Sequence, residues 1–276
     1  MIFPAFKYML GSVVAFGHDL LNNRRLIIRM AGYELKNRYA STAIGALWAL
    51  IQPILMILVF WYVATRGLKV TFDAGTPFIL VMFSGFVPWM LFSDAITGAT
   101  NSITNYSYMV RKVSFPIHIL PAVSLCASVL VHVVLFIVLL LMLAWYGLYP
   151  RLGSLMVLYY LVAALLFTLG LGWFLAALHV FSRDVGQALN SALNIMFWMT
   201  PILWPATNIQ GLTKIVLQMN PMYFVVEGYR AALLPGPDGF VMWPLDLYFW
   251  ALTLIMLVAG ATVFRRFEAD FADVIR

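Results

Sequence analysis

No charged residue interrupts the chain from Ile44 to Thr65, and five further apolar runs of membrane-crossing length follow, at 78–100, 117–146, 154–181, 187–204 and 246–264. A hydrocarbon core about 30 Å thick is crossed by roughly 20 helical residues, and only elements that satisfy their own backbone hydrogen bonds are stable there. The pattern predicts an all-α integral membrane protein, a single transmembrane domain over residues 1–276 with a six-helix bundle at 44–264. The fifth run differs from the rest. It starts polar, with Gln187, Asn190, Ser191 and Asn194, and it ends at Pro201 and Pro205, which predicts a broken or partly re-entrant helix lining protein or water.

The segments between the runs carry their own patterns. Residues 19–40 predict an amphipathic interfacial helix: at about 100° per residue, Leu20, Leu21, Ile27, Ile28, Ala31 and Leu35 share one arc opposite Asn22, Arg25, Arg29 and Lys36. Arg24 and Arg38 break that pattern, and their long stems allow snorkelling. A simple anchor to anionic lipid is the plainer alternative. The loop at 101–116 is too polar to cross and long enough for about three helical turns before Pro116, so a short helix facing a partner is expected there. Its Asn105-Tyr106-Ser107 sequon is a chance match if the loop is cytoplasmic. Residues 206–245 alternate breakers with two short amphipathic pieces, Leu212–Met219 and Tyr223–Leu234, which form either an external lid or an interfacial rim.

Composition sharpens the class. With 63% hydrophobic and 10% charged residues and a mean hydropathy of +0.93, no separate soluble domain is expected. The net charge of +6 would suit nucleic acid if clustered, but the basic residues gather beside the apolar runs. Six spans put Lys7, Arg24, Arg25, Arg29, Lys36, Arg38, Arg111, Lys112, Arg183, Arg265, Arg266 and Arg276 on one side, against Arg66, Lys69, Arg151, Lys214 and Arg230 on the other. The positive-inside rule then places both termini in the cytoplasm. No cleavable signal peptide is read at the N-terminus, and the lone Cys126 offers neither an intrachain disulfide nor a multi-cysteine metal site.

Reactive chemistry has few candidates. The sequence holds no G-x-x-x-x-G-K-[ST], H-E-x-x-H or G-x-S-x-G, so nucleotide, metal-hydrolase and serine chemistry lack their usual frames and any ATP belongs to another subunit. His18, His118, His132 and His179 are scattered and read as structural. Asp94 is the acidic residue inside a span, where even the lowest scales charge about 2.5 kcal/mol, so it is expected to meet polar groups or water inside the bundle. Glu227 and Arg230, three apart on one helical face, predict a bracing ion pair. Arg183 and Asp184 are expected to cap the end of the fourth span. The rings of Phe60, Tyr62, Phe83, Phe86, Trp89, Phe92, Phe197 and Trp198 lie in or beside spans. They are belt or lipid-facing residues, or they line a channel on which sugar rings slide.

Four blocks carry a family resemblance: Arg38–Pro53 (RYASTAIGALWALIQP), Gly85–Pro121, Arg183–Gln187 (RDVGQ) and Asn220–Leu234 (NPMYFVVEGYRAALL). In this order they resemble the membrane subunit of type-2 ABC polysaccharide exporters, and the stretch Arg111–Pro116 (RKVSFP) is more similar to the O-antigen and teichoic-acid exporters than to the capsule exporters. The resemblance implies a bacterial inner-membrane permease, not itself an enzyme, that pairs with a second copy and with two ATPase subunits holding ATP and Mg. Its cargo would be a polyprenyl-diphosphate-linked glycan. It implies ATPase coupling through Arg25, Arg29, Lys36, Tyr106, Tyr108, Arg111 and Lys112, substrate entrance at Arg24, Arg25 and Arg29, and an outer gate with Tyr223, Phe224, Glu227 and Arg230. The rivals are an ABC permease for a drug, haem or small lipid, a membrane enzyme acting on lipid-linked sugars, and a channel or scramblase that needs no ATPase.

Overall fold

The computed structural model describes residues 2–38, 40, 44–67, 76–110, 115–204, 209–235 and 244–274, and every regular element among them is helical. The helices are α1 (Ile2–Asn22), α2 (Arg24–Arg38), α3 (Trp48–Tyr62), α4 (Phe78–Asn105), α5 (Ser107–Val110), α6 (Leu120–Trp145), α7 (Met156–Phe181), α8 (Asp184–Met199), α9 (Gly211–Gln218), α10 (Pro221–Leu233), α11 (Leu245–Phe267) and α12 (Phe271–Val274). Among the described residues, five stretches are long and apolar enough to cross a bilayer: Trp48–Gly67, Phe78–Asn105, Ile117–Trp145, Leu152–Phe181 and Leu245–Phe267. They match five of the expected runs to within a few residues. The sixth, α8, has 16 residues, about 24 Å at 1.5 Å per residue and short of the hydrocarbon thickness. Its last turn closes with Thr200 N–H donating to the Met196 carbonyl at 2.9 Å, and Pro201 stops it there.

Helix α4 is the axis of the bundle. Of its most apolar window 78% is buried, against 22% for the stretch containing α3 and 28% for α11. Helices α6 and α7 flank α4, α11 lies against α7, and α3 and α8 sit more loosely outside. The α7–α11 crossing is made by glycines: a Cβ on Gly260 would stand 2.1 Å from the Gly170 carbonyl oxygen, and one on Gly170 would stand 2.6 Å from the Leu257 nitrogen. Backbones approach this closely in membrane bundles only where side chains are small.

The N-terminal region departs from the expectation of one interfacial helix over 19–40. Helix already spans Ile2–Asn22, and α2 begins at Arg24. Side chains divide the work: α1 runs beside α11 and α2 beside α6. Phe16 stacks on His118 at 4.4 Å and meets Trp173 and Phe264 edge-on. The His118 ring lies 3.3 Å from both the Asp19 and Glu268 carboxylates, which latches α1 to the start of α6 and the end of α11. On α2 the buried stripe is Ile27, Met30 and Ala31, continued by Glu34 and Arg38 at helical spacing. Leu21 and Ile28, expected on the apolar arc of an interfacial helix, are 69% and 67% exposed. Helix α2 follows the polar groups that Glu34 and Arg38 find in the bundle, and Ile28 is left on its outer side.

Candidate functional site

Toward one end of the bundle, charged groups of α2 and α4 meet hydroxyl groups of α6. Arg38 donates through Nη1 to both oxygens of Asp94, each at 2.9 Å, and through Nη2 to Glu34 Oε1 at 2.7 Å. The second Glu34 oxygen accepts from the Ser124 hydroxyl at 3.0 Å and from Tyr106 Oη at 3.2 Å, while the Ser128 hydroxyl donates to Asp94 Oδ2. Burial opposes charge on Arg38, but Asp94 and Glu34 prevail and hold its pKa above the ordinary value. Burial and then the Glu34 charge raise the Tyr106 pKa, so this ring stays a neutral donor. Gly98 makes room: a Cβ there would stand 2.9 Å from Arg38 Nη2 and 3.1 Å from Ser124 Cβ.

Asp94 thus meets polar groups, as expected, but its principal partner was missed. The signal was present in Arg38 itself, a charge out of pattern on α2 with a glutamate one turn earlier. Two cavities adjoin the cluster. One of about 500 Å³ is lined in part by Asn37, Asn101, Asn105 and Tyr106, and one of about 300 Å³ between α3, α4 and α6 is lined in part by Gln52, Ser93, Ser128 and His132. Asp94 and Thr97 border both.

At the opposite end, α10 inserts among the spans. Its start follows the local sequence: Pro221 occupies the first turn, and the Asn220 side chain accepts from Met222 N–H at 3.0 Å. The Asn220 amide also donates to Thr200 Oγ1 at 2.8 Å, tying α10 to the end of α8. Arg230, 8% exposed, donates to the Val81 carbonyl at 3.1 Å, the Ile202 carbonyl at 3.0 Å and Glu227 Oε1 at 2.7 Å. The expected Glu227–Arg230 pair exists, and it braces α4, α10 and the turn after α8 together. Tyr223 and Phe224 are buried on the same helix. Phe224 stacks on Phe249 at 4.7 Å, and Gly228 lies so close to the Tyr160 ring that a Cβ would come within 2.3 Å of it.

The eight candidate channel aromatics separate by burial. Phe83, Phe86, Trp89 and Phe92 are 5% exposed or less and belong to the chain's own core, because α4 is enclosed by its neighbours. Phe60 and Phe197 are half-buried, and Tyr62 and Trp198 are exposed. Phe197 is the hub that holds α8, with Phe60, Phe86 and Trp89 between 5.6 and 6.0 Å away. Along α8 the side chains of Gln187, Asn190, Ser191 and Asn194 are all exposed and form a polar stripe.

Of the expected coupling residues, Arg25, Arg29, Lys36 and Tyr108 are exposed, whereas Tyr106 turns inward to Glu34. Arg111 and Lys112 lie outside the described residues. Arg24 joins Arg25 and Arg29 on the exposed side of α2, and Arg24 and Arg25 border a shallow pocket of about 420 Å³ with Leu21 and Asn22.

Residues 25–234 match the profile of the ABC-2 type transporter family. The chain is 30% identical over 262 residues to an O-antigen export system permease protein RfbA of Myxococcus xanthus, covering 93% of this chain and 98% of the relative. An RfbA of Klebsiella pneumoniae is 23% identical over 91% of this chain and 95% of its own length. The polysialic acid transport protein KpsM of Escherichia coli is 25% identical over 85% and 90%. These relatives are transport components rather than enzymes, and transporters of this kind work with ATPase subunits.

Proposed function

The chain belongs to the ABC-2 type transporter family, and on that premise we propose that it is the permease subunit of an ATP-driven exporter of a polyprenyl-diphosphate-linked polysaccharide of O-antigen type. It works as a homodimer with two ATPase subunits, in the inner membrane of a bacterium, with both termini cytoplasmic. ATP and Mg are held by the partner, since this sequence has no phosphate-cradling loop.

The observation that carries this reading is the polar stripe of α8. Gln187, Asn190, Ser191 and Asn194 are exposed on a single chain within a bundle otherwise solvated by lipid, where an amide facing hydrocarbon loses its hydrogen bonds to water. The stripe therefore faces a wet lumen between two copies, and Tyr62 and Trp198 supply flanking rings on which sugars slide. Phe197 and Phe60 lie behind them as a wall. Arg25, Arg29, Lys36, Tyr108, Arg111 and Lys112 form the face that takes the ATPase subunits. Arg24, Arg25 and Arg29 attract the diphosphate of the lipid carrier, as basic clusters at an interface attract anionic head groups. The α10 assembly around Tyr223, Phe224, Glu227 and Arg230 closes the outer end. ATP moves the equilibrium between closed and open states only through a difference in affinity of the ATPase pair for the two.

Purification of the chain from its native membrane tests the reading. Recovery of a stoichiometric nucleotide-binding subunit, with hydrolysis that falls when 111–116 is altered, supports it; a chain that purifies alone and hydrolyses nothing overturns it. A capsular polysaccharide is the second cargo, favoured by the similarity to KpsM, and the glycan that accumulates inside cells lacking this chain separates the two.

A further inference from the structure

We propose that the Glu34–Arg38–Asp94 cluster is the joint that locks both ATPase-facing elements to two spans as one rigid body, with Asp94 a positioning residue for transport. This rests on the permease reading above. The cluster gathers four pieces of chain. Helix α2 contributes Glu34 and Arg38, the turn between α4 and α5 contributes Tyr106, α4 contributes Asp94, and α6 contributes Ser124 and Ser128. Helix α2 is thus bonded to α4 through Arg38 and Asp94 and to α6 through Glu34 and Ser124, and the segment before α5 joins the same cluster through Tyr106 and Glu34.

The rest of α2 is held differently. Ile27, Met30 and Ala31 make apolar contacts, which are non-directional and permit sliding. A planar guanidinium that holds Asp94 through Nη1 and Glu34 through Nη2 fixes direction as well as distance, and the Gly98 notch seats it against α4. Withdrawing Arg38 leaves the Glu34 and Asp94 carboxylates without the cation they share. A partial slip is therefore disfavoured, and α2 drags α4 and α6 with it. On α6, one turn beyond Ser128, His132 Nε2 lies 3.3 Å from the hydroxyl of Tyr229 on α10. Movement taken up by α6 thus arrives at the helix that closes the far end.

The experiment is glycan export and ATP hydrolysis measured side by side on the complete complex in vesicles. Asp94→Asn is expected to keep the ATPase subunits bound and hydrolysis within about twofold, while glycan exported per ATP falls about tenfold, the cost of roughly 1.4 kcal/mol. Arg38→Lys keeps the charge but loses the second, coplanar nitrogen that reaches Glu34, and it shifts the ratio in the same direction. The neutral combination Glu34→Gln, Arg38→Gln, Asp94→Asn leaves no unpaired charge, so it folds and shows the same uncoupling if Asp94→Asn alone does not assemble. An unchanged ratio in an assembled variant overturns the proposal. So does a proportional fall of hydrolysis and export, which marks the cluster as fold cement only. If the unaltered chain brings down no ATPase subunit, it is the permease reading that fails.

Discussion

The guanidinium of Arg38 and the carboxylate of Asp94 meet in two 2.9 Å hydrogen bonds across 56 residues of chain. This fork explains how an aspartate persists about three turns inside the longest buried helix of the bundle, since an intramembrane acid is tolerated where a partner or water reaches it. The same fork depends on a neighbour with no side chain.

Gly98 is that neighbour, and Gly98→Val is expected to displace the guanidinium from the notch and lower stability by about 2 kcal/mol through overpacking. Gly32→Ala, where an added Cβ meets nothing within 4 Å, is the control and should leave stability unchanged or slightly raised. Thermal unfolding of the two variants in detergent compares them directly; equal midpoints would remove the notch from the account.

Gly260→Ala should be still less tolerated, because the obstructing atom is the Gly170 carbonyl oxygen rather than the tip of a flexible side chain. The α7–α11 crossing must open for the methyl to fit, at a cost of about 3 kcal/mol or more. Loss of monodisperse protein on size exclusion is the expected result, and a normal elution profile with an unchanged melting point contradicts it.

Arg230→Lys retains a charge for Glu227 but loses the simultaneous reach to the Val81 and Ile202 carbonyls. Each abandoned buried acceptor costs about 1–3 kcal/mol. Hydrogen exchange should accelerate across 200–204 and α10 while α6 and α7 keep their protection. Uniform protection throughout would show that the brace is dispensable.

The lumen assignment of α8 is checked by accessibility. In a Cys126→Ala background, single cysteines at Gln187, Asn190 and Asn194 should react with a membrane-impermeant maleimide in inside-out vesicles of the assembled exporter. Cysteines at Val133, Ile137 and Leu141, exposed on the apolar side of α6, should not. Equal protection of both sets would place the α8 stripe against protein or lipid.

Reversing Arg25 and Arg29 to Glu is expected to reduce export about tenfold or more at equal membrane content, given roughly 1 kcal/mol per basic residue near an anionic group. Unchanged export by a normally inserted double variant would leave these residues as simple topology anchors.

Much of the architecture was legible in the sequence because a bilayer imposes local requirements. Length and apolarity alone located five spans. The piece expected at Tyr223–Leu234 lies within two residues of α10 at each end, and Pro201 stops α8, since the missing proline N–H acts within a turn. Glu227 and Arg230 could be paired because three residues on a helix are neighbours. The polar stripe of α8 was also visible as a run that did not suit lipid.

Tertiary structure decided what local pattern leaves equivalent. A helix as apolar as α4 does not say which of its rings face a lumen, and enclosure by α6 and α7 put Phe83, Phe86, Trp89 and Phe92 in the core. Helix α2 offers apolar residues on more than one face, and the polar partners waiting at Asp94, Ser124 and Ser128 chose the one that packs. Gly260 and Gly98 look like any other glycine until another backbone or a guanidinium arrives beside them. The sequence by itself determined which segments are long and apolar enough to cross a bilayer, because that is a property of one stretch of chain in its solvent. Which faces meet, and therefore which charges are paired, was decided by contacts between segments far apart in the chain, where the energy belongs to the pair and neither partner carries it alone.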